Sequence, residues 1–287
     1  YLQSYVWANV DVCFLALHRT FGEDGQVQSL LEATGVPYTG SGRHASQLAF
    51  HKSAAKERFF QAHVPTPAYT LIHRGDSAER IDQLVRSFGF PLVVKPDAQG
   101  SSLGVTIVRT PEELPAALAA CFCHDSFGLI EEYVDGSEWT LGIIDEEVLP
   151  LIQVQSGRDF YDYQAKYQDD ATQYCFDFDL PTNVIQQLIS TGQDAARALG
   201  TSGIVRVDIR LDAQQRPWVL EVNTIPGLTD HSLVPKAAAR IGLGMPELCQ
   251  RAIVSCLEKF AEDAQATARV QSATRAQEAR AQEMRPR

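Results

Sequence analysis

Hydrophobic positions along the chain switch repeatedly between two spacings. Residues 11–17 (DVCFLAL) are almost continuously apolar, which predicts a short strand buried on both faces. A turn-like FGEDG follows, and then residues 26–33, where Val27, Leu30 and Leu31 fall at helical spacing and Gly35 supplies a stop. This pattern makes half of an α/β unit. Past YTGSG, residues 44–63 predict one helix with Leu48, Ala55 and Phe59 on a single stripe, ended by Pro65 and Pro67. Strands are then predicted at 68–72, 91–95, 104–108, 128–132, 138–144 and 148–154, with helices at 77–88 and 111–121. Residues 156–174 are polar, aromatic and aperiodic, a length that suits a lid or binding loop better than a simple connection. A helix at 181–199, paired strands at 204–211 and 218–222, and a closing helix at 246–260 complete the pattern. Residues 261–287 are rich in Ala, Gln, Glu and Arg and carry little to bury, so a disordered or fraying helical tail is expected.

The 287 residues suffice for about two domains of roughly 100–200 residues each. With 25 basic and 36 acidic side chains the formal charge is −11, which argues against a general nucleic-acid binder. The longest apolar run, near residues 10–17, is far short of the roughly 20 residues that span a bilayer. Six scattered cysteines without a CxxC pair suit reduced thiols in a cytoplasm better than a disulfide frame or a zinc site.

Three segments carry candidate chemistry. In Arg206-Val207-Asp208 and Glu221-Val222-Asn223, strand alternation puts each polar pair on one face, and a hairpin over 213–216 would lay Asp208 opposite Glu221. Facing carboxylates repel. A cation between them reverses the sign, and Asp, Glu and Asn oxygens suit magnesium shared with phosphate. A solvated sheet face explains the same pattern equally well when it is taken alone. Lys95-Pro-Asp-Ala-Gln-Gly100-Ser-Ser-Leu-Gly104 follows an apolar strand and places a cation beside free backbone N–H groups, as a phosphate cradle would. It lacks the order of a Walker A loop, and a plain tight turn is the ordinary alternative. Glu131 and Glu138 could accept hydrogen bonds from an adenine or a ribose, although surface acids are the more common reading.

Taken in order, HASQLAFHK, VVKPDAQGSSLGV, LIEEYVDGSEW, FYDYQAKY, VRVDI and LEVNTIPGLTDHSLVP resemble the D-alanine–D-alanine ligase family of the ATP-grasp superfamily, from about residue 11 to 260. The resemblance implies mixed α/β and α+β architecture: an ATP-grasp fold behind a shortened N-terminal α/β domain. The implied divisions are 1–42 as the N-terminal remnant, 43–132 and 133–262 as the two ATP-grasp modules, and 263–287 as the tail. It implies ATP contacts at Lys52, Lys95, Ser101, Ser102, Gly104, Glu131, Glu138 and Lys166. Two Mg²⁺ or Mn²⁺ ions fall to Asp208, Glu221 and Asn223. Arg206, Ser102, Tyr167 and Lys166 are implied at the reacting centre, and His18, Tyr167, Arg206, Gly227, Ser232 and Leu233 around two D-alanines. The implied product is D-alanyl-D-alanine for peptidoglycan, formed through an acyl phosphate. Tyr167 favours an amino acid over a hydroxy acid as second substrate. The implied setting is a cytoplasmic enzyme, with a homodimer as the family's common state and no nucleic-acid or membrane partner.

Three departures set further expectations. The family's opening strand, glycine turn and substrate-orienting glutamate are absent before Asp11, so the chain reads as a fragment or a shortened homologue that binds Mg-ATP with weak or no ligase activity. Another carboxylate–amine ligase and a non-catalytic nucleotide-binding module are the competing readings. Arg19 stands where the family has glycine and is expected to crowd a turn. His51 replaces the acid that commonly precedes Lys52, and a surface change is expected there.

Overall fold

The computed structural model describes Trp7, residues 9–155 and residues 173–283, with backbone alone at 264 and from 266 onward. The apolar segment at 11–17 forms no strand; it makes one parallel bridge, Cys13 to Tyr38. Among the described residues its neighbour is a single segment: Cys13 N–H donates to Pro37 O at 2.8 Å and Thr39 N–H to Cys13 O at 2.9 Å. Leu15 alone of this stretch is buried, in a small cluster with Val27, Leu31 and Ile225. The turn at Arg19 takes φ 64° with the side chain exposed, so the arginine does not crowd the turn as expected. The backbone instead takes up a conformation that glycine would hold more cheaply.

Helix α1 is Gln26–Glu32. The single helix expected over 44–63 is two, α2 (Arg43–Phe50) and α3 (Lys52–Gln61), broken at His51, which has extended dihedrals. The loop before α2 docks on the second sheet: Ser41 Oγ donates to Ser202 O at 3.1 Å and Ser202 Oγ to Gly40 O at 3.1 Å. A Cβ on Gly203, at φ 69°, would sit 2.8 Å from Gly40 Cα, so this approach requires a glycine.

The first sheet contains β1 (Tyr69–His73), β2 (Leu92–Pro96), β3 (Thr106–Val108) and β4 (Phe127–Glu132), in the order β1-β4-β2-β3. Helices α4 (Ala78–Phe88) and α5 (Leu114–Phe122) cover one face, burying Ile72, Ile81, Leu92, Val94 and Ile130. The second sheet is built from β5 (Gly136–Ile144), β6 (Glu147–Val148), β7 (Ile152–Gln155), β8 (Gln173–Cys175), β9 (Ile204–Asp212) and β10 (Pro217–Asn223). Its order is β10-β9-β5-β7-β8, with β6 paired to β5. Every pairing of the named strands is antiparallel. The α/β unit expected at the N-terminus is reduced, among the described residues, to α1 and the parallel bridge from Cys13 to Tyr38, and the two sheets are α+β in character.

Helix α6 (Thr182–Leu199) turns Val184, Leu188 and Ala195 onto Val207 and Ile209 of β9, and Phe59 of α3 joins the same core. At the far end, α7 (Leu233–Arg240) and the start of α8 bury Val234, Ala238, Leu248 and Ala252 with Ile152 and Ile204. Helix α8 runs Met245–Glu283, so the tail continues the closing helix. Ala, Gln, Glu and Arg are residues of good intrinsic helix propensity. No helix among the described residues is long and apolar enough to cross a membrane.

Candidate active site

Strand alternation sends Val205, Val207 and Ile209 into the core, which leaves Arg206, Asp208 and Arg210 on the opposite face of β9. Register aligns Glu138, Thr140 and Gly142 of β5 with Arg210, Asp208 and Arg206. On the other side, Glu221 pairs with Asp208 and Asn223 with Arg206. A register shift between Val219 and Glu221 leaves Leu220 as the extra residue and brings Glu221 opposite Asp208. The result is a polar stripe across three strands, and the facing of Asp208 and Glu221 matches the expectation.

Cations of the chain itself offset these acids. Arg206 donates from Nε to Asp208 Oδ1 at 2.9 Å and from Nη2 to Oδ2 at 2.8 Å, and Thr140 Oγ1 adds a bond to Oδ1 at 2.6 Å. Lys52 Nζ lies 3.6 Å from Glu221 Oε2 and donates to Gln99 O at 2.5 Å. Asn223 Oδ1 accepts from Ile225 N–H at 3.0 Å. Among the described residues no three His, Cys, Asp or Glu side chains converge as a ready metal cluster. Two carboxylates and an amide oxygen on adjacent strands still form a hard-donor set for Mg²⁺ or Mn²⁺, provided that phosphate and water complete the shell.

Lys95 and Glu131 show where the ordinary reading of the sequence fails. Glu131 is 2% exposed rather than a surface acid. Lys56 Nζ lies 2.5 Å from Glu131 Oε1, and the Lys95 ammonium contacts Oε2. Burial works against the Glu131 charge, but the two ammoniums outweigh it and hold the carboxyl below its usual range. In the other direction, burial pulls Lys56 down to about 8. Both Glu131 oxygens thus face lysines, and the carboxylate anchors Lys95. Glu138 lies 3.5 Å from Arg210, whose Nε donates to Val134 O at 3.2 Å.

Two cavities meet along this stripe. The smaller, of about 60 Å³, is lined by Lys52, Lys95, Ser102, Glu138, Asp208 and Glu221. The larger, of about 180 Å³, is lined by His18, Ser101, Arg206, Asn223, Gly227, Ser232 and Leu233, and again by Lys52 and Glu221. Ser101 and Ser102 take φ 57° and 56°, and Gly104 closes their loop at φ 71°. Ser232 Oγ accepts from Thr229 N–H at 3.1 Å, and a Cβ on Gly227 would stand 2.6 Å from that oxygen. Lys166 and Tyr167 lie outside the described residues.

Residues 59–254 match the family model described as D-ala D-ala ligase C-terminus, and residues 3–41 match D-ala D-ala ligase N-terminus. The chain belongs to the D-alanine–D-alanine ligase family. It is 42% identical over 247 residues to the D-alanine–D-alanine ligase of Geobacter sulfurreducens, covering 86% of this chain and 77% of that one. A family member from Bacillus anthracis superposes with TM-score 0.80 at 36% identity, over 89% of this chain and 83% of that one. The same ligase complexed with ATP gives 0.78 at 31% identity, over 90% and 83%. The ATP-grasp fold expected from the sequence motifs is therefore present.

Some residues of this family site were not singled out in the sequence. Thr140 sits two positions after Glu138 on the same strand face, a spacing that could have marked it. Glu23, in the FGEDG turn, lines the larger cavity with its Oε1 3.6 Å from His18 Nδ1. The hydrogen bond from Glu23 raises the His18 pKa, against a smaller lowering by burial. Asp97 lies inside the Lys95–Gly104 segment without a role of its own in the sequence reading, and it proves central to the geometry of Lys52.

Proposed function

We propose that this chain joins two D-alanines into D-alanyl-D-alanine, with conversion of ATP to ADP and phosphate, as a cytoplasmic step supplying peptidoglycan precursors. One observation carries the reading: two cavities share a wall made of Lys52, Gln99 and Glu221, with Asp208, Arg206 and Asn223 beside it. A ligase of this kind must pass a phosphoryl group from a nucleotide chamber to a carboxylate in an adjoining one, and such a wall lies where the transfer occurs.

In this reading the smaller cavity takes the nucleotide phosphates, with Lys52 and Lys95 as fixed cations and the Ser101–Gly104 loop as the cover. Glu138 and Arg210 meet the ribose end. Asp208, Glu221 and Asn223 would hold Mg²⁺ or Mn²⁺, which when bound neutralises charge on the phosphoryl oxygens. In the larger cavity the first D-alanine carboxylate attacks the γ-phosphorus, the bond to the β-bridging oxygen breaks, and ADP leaves. The amine of the second D-alanine then attacks the acyl carbon, the C–O bond to the phosphoryl oxygen breaks, phosphate leaves with that electron pair, and the proton lost by the nitrogen passes to the departing phosphate or to solvent. Negative charge appears on the phosphoryl oxygens and next on the tetrahedral oxyanion, beside Arg206. Glu23 offers a carboxylate to a substrate ammonium, while Ser232 and the backbone at Leu233 face the carboxylate end. Lys166 and Tyr167 lie outside the described residues; from the sequence motif, Lys166 is assigned to phosphate and Tyr167 to an amide product. The division near Glu132, where the first sheet ends before Gly136 opens the second, supports two ATP-grasp modules.

The test is ADP release by the purified chain with Mg-ATP and D-alanine, with mass spectrometry of the product. D-alanine-dependent ADP and the dipeptide mass are the expected result. ADP release with other acids and none with D-alanine would move the chain to a different carboxylate–amine ligation.

A further inference from the structure

Lys52 is the first residue of α3, where a cation meets the positive end of the helix dipole in a buried place. The free N–H groups of that first turn also need acceptors. The residue in the N-cap position, His51, makes no side-chain capping bond. Both needs are met by the residue that follows β2. Asp97 Oδ1 accepts from Ser53 N–H at 2.7 Å, the bond an N-cap side chain normally receives. Asp97 O accepts from Lys52 N–H at 3.0 Å. Its second carboxylate oxygen lies 3.1 Å from His51 Nδ1. Asp97 is itself buried, and its backbone N–H is held by Phe127 O at 3.1 Å.

Asp97 also follows Lys95 by two residues and precedes Gln99 by two, and Gln99 O receives the Lys52 ammonium. One short segment therefore holds both phosphate-side lysines. It carries Lys95 by chain connection and fixes Lys52 through the cap, the helix start and the carbonyl of Gln99.

We propose that Asp97 is a positioning residue for nucleotide binding: a cap supplied from β2's end that sets the helix break at His51 and aims Lys52 at the phosphates. His51 is the partner that orients the Asp97 carboxylate. The inference rests on Lys52 being a phosphate lysine, as in the function proposed above. A carboxylate placed at the cap position itself should do the same work, because an N-cap acid reaches the same N–H groups.

The experiment compares the wild type with Asp97→Ala, Asp97→Asn and the double variant His51→Asp/Asp97→Ala. Titration calorimetry with the Mg complex of a non-hydrolysable ATP analogue reads affinity on the folded protein, and steady-state kinetics reads KM for ATP and for D-alanine. Asp97→Ala is expected to weaken the analogue about tenfold, in line with loss of one cap and its charge, while KM for D-alanine stays within about twofold. Asp97→Asn should fall between, and the double variant should regain most of the affinity. A purely structural role would lower the folded fraction without changing the affinity of what remains folded. Unchanged affinity in Asp97→Ala, or no recovery in the double variant, overturns the proposal. Should Asp97→Ala lose its fold, Asp97→Asn against the double variant makes the same comparison. A wild type that binds the analogue but releases no ADP with D-alanine refutes the proposed function and leaves this comparison readable.

Discussion

Arg206 clasps Asp208 with two hydrogen bonds, at 2.9 and 2.8 Å, two residues apart on one strand face. The arginine thus neutralises an acid and stands beside the cavity where an oxyanion would form. Arg206→Gln removes the charge from both. ADP release is expected to fall by about a hundredfold or more, with the loss in kcat rather than in KM for ATP, as steady-state kinetics will show.

Glu221 is half-buried and lies 3.6 Å from the ammonium of the buried Lys52. In Glu221→Gln a divalent ion held as proposed above would lose one charged oxygen ligand. The Mg²⁺ concentration for half-maximal rate should rise about tenfold, one charge-assisted contact's worth. Chelation of the ion should stop ADP formation in wild type, and Mg²⁺ or Mn²⁺ should restore it.

The Lys56–Glu131–Lys95 triad is buried throughout, and Lys56 also donates to Thr66 Oγ1 at 2.6 Å and Pro67 O at 3.0 Å. Removing one charge leaves Glu131 undercompensated. Lys56→Met should destabilise the fold by about 3–5 kcal/mol in urea denaturation. Lys56→Met/Glu131→Gln should recover part of that loss.

His51 and Asp97 shift in opposite directions. The bond to Asp97 raises His51 above its ordinary 6.5 against a smaller lowering from burial, and Asp97, Asp125 and Asp24 add attraction. Burial pushes Asp97 up, but bonds from His51 and Ser53 outweigh it and leave the carboxyl below its ordinary 3.8. The His51 contribution to stability is complete below 6.5 and is lost as pH rises through the raised value. The Asp97 contribution is present above 3.8 and is lost as pH falls through the depressed one. The stability gap between wild type and His51→Gln should therefore be widest between these limits and narrow as pH rises through the raised His51 value. Denaturation midpoints across that range will show it.

Arg19 occupies the left-handed region at φ 64°. Arg19→Gly relieves a cost of about 1 kcal/mol. The melting temperature should rise, with the rate unchanged.

The polar stripe was legible because alternation along residues 206–208 and 221–223 is a local property, and a short hairpin carries it across. The antiparallel sheets were less so: alternating helices and strands in sequence look the same whether a strand joins its neighbour or crosses to another. Glu131 passed for a surface acid because its two partners, Lys56 and Lys95, lie 75 and 36 positions earlier. The break at His51 escaped notice for the same reason. Apolar spacing runs smoothly through residues 44–63, and the group that ends one helix and starts the next is a carboxylate 46 residues downstream. Segment 11–17 is apolar enough for a strand, but strands are made by neighbours, and among the described residues only 37–39 pair with it.

The three groups common to both cavities act as a party wall. A guest that tightens against Lys52 or Glu221 from one room alters the surface presented to the other. Occupancy on either side is then felt on both, and thermodynamic reciprocity requires each guest to change the other's grip by the same factor.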